Sequence, residues 1–324
     1  MARQEESTSA LPGLLPTLAA GFDVVTRHLW LVLLPIILDV FYWVGPQLRS
    51  TELWLSLADL FRQSGTMVDM ADSLAQAAEF TNLFTFFSVP FIGVPALMAG
   101  LVMPEQTPLQ PVAWEVTDVG SWLLFAAAIV FSGLIGAAIF HSLLARVVCN
   151  QNDEQCRMSN ITGQSAWASV LRSLPVYCLR VLGMALLMLL MLLALYVPLV
   201  LVAAFLTVLN AAIGSIVMLG GLAVLVWLIF YLSFGLHGIL MRERPVFWAL
   251  IDSIRFVQRN LLPALTLFLL IFAARNLLAW LWLLVDTGSW FTLINIAGYD
   301  FIVTGLIAAT YVFYRDRIAL LEQG

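Results

Sequence analysis

Three ionisable side chains, Asp39, Arg275 and Asp300, lie inside long apolar stretches of the chain. A charge in a hydrocarbon core is costly, so it is kept there by a partner, a wet cavity or a function. Asp39 falls near the middle of Leu29–Leu48, Arg275 near the middle of Leu261–Leu284, and Asp300 in the outer half of Leu293–Tyr314. Counted at ~1.5 Å per residue from the Arg-bearing ends of these stretches, Arg275 and Asp300 reach similar depths, with Asp39 a few ångströms lower. The three form a candidate intramembrane polar cluster, with Asn276 and Asn295 as neighbouring polar groups. One reading is a polar site or ion path. The other, which pairing alone already explains, is a structural ion pair that fixes helix register.

The histidines are a second candidate set. His28, His141 and His237 each fall near an Arg-bearing span end, and a pseudo-threefold meeting of the three would suit a metal or an anionic headgroup. An interfacial histidine needs no ligand to be satisfied, so the expectation is that they stay apart and that no metal or other cofactor is bound. Catalytic patterns are missing. There is no Gly-x-Ser-x-Gly, no His-Glu-x-x-His and no lysine, which removes Schiff-base and Walker-type phosphate chemistry. Asp69 and Asp72 read as a solvated helix face rather than a metal site. The chain is expected to be non-enzymatic. Cys149, Cys156 and Cys178 read as free thiols.

The elements that must hold these residues are set by composition. Of 324 residues, 62% are hydrophobic and 11% charged. Soluble domains carry about 25% charged residues, so lipid has to solvate much of this surface. Leu29–Leu48, Trp122–Val147, Val181–Leu206, Met218–Leu240, Leu261–Leu284 and Leu293–Tyr314 are each long and apolar enough to cross. The expected fold is an all-α polytopic bundle of six transmembrane helices. Trp30, Trp43, Trp122, Trp248 and Trp290 fall near the span ends, as an aromatic belt would.

With six spans, twelve Arg fall on one side and two, Arg49 and Arg62, on the other. Basic loops stay inside, which places both termini in the cytoplasm of a bacterial inner membrane. The polar first ten residues, with Glu5 and Glu6, do not resemble a cleavable signal. One stretch threatens the count. Leu83–Met103 is apolar and long enough to cross, yet it contains Pro90, Gly93, Pro95 and Gly100. A crossing there would turn the Arg-rich loops outward, so it is expected to be re-entrant or interfacial. It belongs to an extracytoplasmic insert, residues 50–120, whose 52–62 and 67–80 stretches have helical amphipathic spacing.

Three stretches repeat an Arg-ended amphipathic segment that runs into a span: Gly21–Pro35, Ala168–Arg180 and Ala249–Pro263. Each is followed by a return to an Arg-bearing exit, at Arg146, Arg242 and Arg315. The expected unit is an interfacial helix plus a transmembrane hairpin, in units 11–149, 164–244 and 245–320 of a single domain 1–320.

This Arg-then-span pattern, with Phe256–Pro263 and the terminal Tyr311–Arg317, resembles the multi-pass membrane domain of bacterial glycerophosphodiester phosphodiesterases and related stand-alone membrane proteins. The resemblance covers most of the chain except the insert, on short and degenerate motifs. It implies a six-helix membrane fold and no catalysis, since the chemistry of those fusions belongs to a separate soluble barrel. The expected function is a membrane scaffold, or a module that binds lipid or another membrane protein; the alternative is a small transporter or permease subunit. No dense basic stripe suggests nucleic acid.

Overall fold

The computed structural model describes residues 12–64, 68–90, 92–99, 107–149, 166–282 and 287–318. The architecture is all-α. Helix α1 (Leu14–Arg27) is followed by a 3-10 turn (Leu29–Val32) and α2 (Leu33–Val44). A short strand β1 (Gln47–Arg49) leads to α3 (Thr51–Ser64), α4 (Val68–Phe80), a 3-10 turn (Leu83–Phe87) and β2 (Ala113–Glu115). The rest is helical: α5 (Val119–Cys149), α6 (Ala166–Leu209), α7 (Ala211–Leu232), α8 (Gly235–Met241), α9 (Val246–Arg259), α10 (Leu261–Trp282) and α11 (Thr292–Arg317).

Five of these stretches are long and apolar enough to cross a membrane: α5, α6 from Ser173 on, α7 with α8, α10 and α11. A sixth arises if α1 and Leu29–Val44, turned by 92° at their junction, form one broken span. The turn follows from local chemistry. Arg27 closes α1 in an exposed ion pair with Asp23, and His28 leaves helical geometry to cap it. Before the turn, α1 runs antiparallel along α11. A Cβ on Gly21 would collide with the Ala309 backbone, and one on Gly305 with the Phe22 ring, so both glycines permit the close approach.

The second of the three amphipathic segments does not form a separate helix. Ala168–Arg180 belongs to the start of the continuous α6, which carries Pro175 and Pro198 within it. The third segment is a discrete helix, α9, and only a single residue, Asn260, separates it from α10.

The Arg-rich ends of the helices are tied to one another. Arg146 donates to Ser173 Oγ at 2.8 Å, and Arg315 to the Val148 carbonyl at 3.1 Å. Arg317 donates to the Pro12 carbonyl at 2.7 Å. Arg242 and Arg244 both reach Asp252, at 3.4 and 3.5 Å. Arg180 donates to the carbonyl of Glu243, whose left-handed φ of 53° makes the corner between α8 and α9. Guanidinium suits this work because its donors form a fan that reaches several acceptors. Cys178 is a free thiol, but Cys149 is disulfide-bonded, which corrects the expectation of free thiols throughout.

At the opposite end, β1 and β2 pair in parallel, Gln47 with Ala113 through Arg49 with Glu115. The insert packs α3 against α4, and Arg62 of α3 bridges to Asp59 and Asp72. Asn82 Oδ1 accepts from the Leu48 amide, so the chain entering the next segment starts at this same end.

Candidate functional site

That next segment is the apolar stretch from Leu83. Among its described residues it holds one 3-10 turn and otherwise irregular backbone, with no helix long enough to cross. It leaves from Asn82 beside β1, and the described chain resumes at residue 107 ahead of β2, the partner strand of β1. Phe87 sits against α5 where Gly133 has no side chain; a Cβ there would strike the Phe87 carbonyl. Deeper in, the Gly93 carbonyl lies 3.4 Å from Nε2 of His141, only two turns from the Arg-rich end of α5.

Irregular backbone at membrane depth has to find acceptors inside the protein. Asp39 supplies them. Its Oδ2 accepts from the Leu97 amide at 2.6 Å and its Oδ1 from the Met98 amide at 2.8 Å. Asp39 is fully buried. Helix α2 can present it there because its C-terminal end is anchored: the Trp43 indole donates to the Thr287 carbonyl at 2.8 Å and meets Trp290 edge-on. Short bonds from two amides to one carboxylate are charge-assisted and about twice as strong as neutral ones.

The expected three-membered cluster is therefore only partly assembled. Asp300, also fully buried, adjoins Asp39 closely enough for the two carboxyls to interact, and no donor among the described residues reaches either of its oxygens. Arg275 stands apart on α10. Among the described residues no ion pair joins it to Asp39 or Asp300; it lies by the Tyr299 hydroxyl instead. The ion-pair reading is corrected accordingly: backbone amides hold Asp39, because the broken segment has donors to satisfy and Arg275 does not reach it. Asn276 is exposed on the lipid side, its amide turned back to the Phe272 carbonyl at 2.8 Å. Asn295 is half-buried one turn before Tyr299.

Two of the three histidines converge and the third does not. His141 of α5 and His237 of α8 flank Tyr311 of α11. The Tyr311 hydroxyl lies 3.1 Å from His141 Nδ1, and the Tyr311 ring centre 4.1 Å from that of His237. His237 Nε2 meets Thr310 Oγ1 at 2.8 Å, and Thr310 in turn donates to the Ile307 carbonyl. Thr310 has spent its hydrogen, so Nε2 of His237 is the donor and its Nδ1 keeps a lone pair. That Nδ1 is buried and makes no hydrogen bond of ordinary geometry among the described residues. By the same logic, His141 donates from Nε2 to Gly93 and accepts from Tyr311 at Nδ1. His28 sits at the end of α1, bonded to the Val24 carbonyl and set against Trp30. It takes no part in this group.

These residues line a cavity of about 470 Å³. One wall is the irregular backbone of residues 88–90 and 92–96; the others bring His141, His237, Arg275, Thr310 and Tyr311 among Met184, Met188, Phe268 and Ile271. The volume is in the range of small-molecule sites, which are mostly apolar with a few placed polar groups. No three His, Cys, Asp or Glu among the described residues gather as metal ligands.

Sequence reasoning found the polar side chains but not their partners. Tyr311, Thr310 and Tyr299 carry no charge to flag them, and the Leu97 and Met98 donors are backbone. A signal did exist: an apolar, Pro- and Gly-broken segment at membrane depth demands a buried acceptor, and Asp39 was the available one. No protein-family model, curated protein or solved structure matches the chain.

Proposed function

We propose that this membrane protein is non-enzymatic and takes a small anionic amphiphile into its intramembrane cavity, as a permease subunit or lipid-handling module would. The cavity carries the reading. It is walled by irregular backbone, and among the described residues its guanidinium, Arg275, has no paired carboxylate. A cation at membrane depth without a counter-ion favours an anionic guest, and the aliphatic and aromatic lining favours an alkyl body. Broken segments that face a central site are a transporter device. This geometry favours the transporter alternative over a plain scaffold.

For orientation, the Arg partition favours both termini in the cytoplasm of a bacterial inner membrane. The disulfide at Cys149 weighs against it, since disulfides persist in oxidising compartments. Labelling Cys178 from either side of sealed vesicles with a membrane-impermeant maleimide decides between them.

The binding test uses oleate as probe, with protein in nanodiscs. Saturable oleate binding is expected in the wild type. It should weaken about tenfold or more in Arg275→Leu, the loss of one charge-assisted contact, and vanish in the cavity-filling Ala96→Phe. Non-saturable partitioning equal in all three proteins would end this reading.

A further inference from the structure

We infer that Asp39 and Asp300 form a proton-binding site whose occupancy positions the broken segment and so couples protons to the cavity. The inference rests on the cavity being a ligand site.

The two carboxyls are not equivalent. Asp39 accepts an amide at each oxygen, which suits an anion. Asp300 receives no donor among the described residues at either oxygen, although it is fully buried beside Asp39. A second bare carboxylate next to an anion, with no donor of its own, is the arrangement a low-dielectric interior tolerates least. One hydrogen on Asp300 removes that charge and turns Asp300 into a donor. Asp39 still has lone pairs to accept it, because an ionised carboxylate offers about four acceptor sites. The pair thus holds one proton, carried by Asp300 and directed at Asp39.

A separate observation marks the same spot. The Tyr299 hydroxyl is fully buried without a hydrogen bond of ordinary geometry among the described residues, and it lies between the Arg275 guanidinium and the charges of Asp39 and Asp300. The Thr304 hydroxyl, one turn further along α11, is also buried and unpartnered. The titratable groups around the pair are Tyr42 on α2 and Tyr299 on α11, with Arg275 of α10 beyond Tyr299. The broken segment contributes only amides there, since its described residues 92–99 contain no titratable side chain.

The consequence is mechanical. When the proton leaves Asp300 for water, two anions face each other. Separation moves Asp39 together with the Leu97 and Met98 amides. The same segment, four residues earlier, forms the cavity wall at Gly93.

Hydrogen exchange of residues 92–99, corrected for intrinsic rates, tests this on the full chain in nanodiscs without added oleate. Protection in the wild type should fall about tenfold or more from neutral to alkaline pH, one tenfold step for each unit past the transition. Asp300→Asn keeps a neutral donor beside Asp39 and should hold its protection throughout. A wild type with no pH response, or an Asp300→Asn protein with the same response, overturns the inference. If Asp300→Asn fails to fold, infrared spectra of the wild type replace it. They should show a protonated-carboxyl band at neutral pH, where exposed acids are ionised, and its absence overturns the inference. Exchanging choline for sodium at fixed pH should change nothing; a sodium response would assign the site to a metal cation instead. Failure of oleate binding leaves all these readouts intact, so the two readings fail separately.

Discussion

Helix α11 and helix α6 are both long, apolar and able to span, yet they live in different surroundings. The most apolar stretch of α11 is 67% buried within the protein; that of α6 is 6% buried. Around α11 gather α1, α2, α5, α10 and the broken segment, and the buried polar groups of the candidate sites belong to this assembly. The distal part of the α6–α7 hairpin packs mainly on itself, with Gly221 under Leu199 and Gly214 under Thr207. Its other faces carry exposed Leu, Val and Phe. Lipid serves as its solvent. The difference shows how an apolar chain can hold a polar site: the two fully buried carboxyls, Asp39 and Asp300, lie where protein encloses them, while the lipid-facing hairpin carries no Asp, Glu, Lys or Arg over Val181–Leu240.

The strongest way to break the contrast is Asp39→Ala. It leaves two buried amides without an acceptor, each costing about 1–3 kcal/mol. Folded yield in detergent should collapse. Asp39→Asn keeps one acceptor oxygen and should recover part of it; equal yield for Asp39→Ala and wild type would remove the anchoring role. Next comes a pair of glycines. Gly133→Ala forces Phe87 and the broken segment away from α5 and should lower stability by about 1–3 kcal/mol. Gly220→Ala on the lipid-facing hairpin meets open space. It should be neutral or gain up to about 1 kcal/mol from helix propensity. Thermal unfolding midpoints in one detergent compare the two, and equal losses would erase the distinction between the regions.

Arg275→Leu should lower oleate binding while leaving folded yield near wild type, because no carboxylate depends on it. A large loss of yield would restore the ion-pair reading. The smallest effect is expected at Asp118, which precedes α5 and sits in water. Its hydrogen bonds to Ser121, side chain first and then the amide at 2.8 Å, hold its carboxyl below the usual carboxylate range. Its contribution is present above the unfolded-state value and fades as pH falls through the lower folded one. Asp118→Asn should therefore lower stability slightly at neutral pH and leave the acid end of the profile unchanged, as thermal midpoints measured across pH would show.

Several features are legible in the chain of residues itself. Asp39, Asp300 and Arg275 stand out because charges are rare in apolar runs. The Pro- and Gly-broken segment at Leu83 announces that it will not cross as a helix. What stays hidden is their connection. Asp39 is 58 residues from Leu97 in sequence, and a backbone donor has no residue-type signature. Similar depths suggest that Arg275 would pair with the aspartates, but depth fixes one coordinate and leaves the rotation of each helix open. That rotation turns Asn276 to lipid, Arg275 to the cavity and Asp300 to Asp39. The histidines show the same limit: all three sit near the Arg-rich end, but His28 ends the α1 segment before the 92° turn and stays outside the group.

The sequence alone determined that this chain is an all-α membrane protein, because composition sets the solvent it needs and the length of each apolar run sets what it can cross. Only the tertiary structure decided which polar groups meet. Helix rotation, a glycine that admits Phe87 and two amides seeking an acceptor are properties of packing, and packing is read in three dimensions.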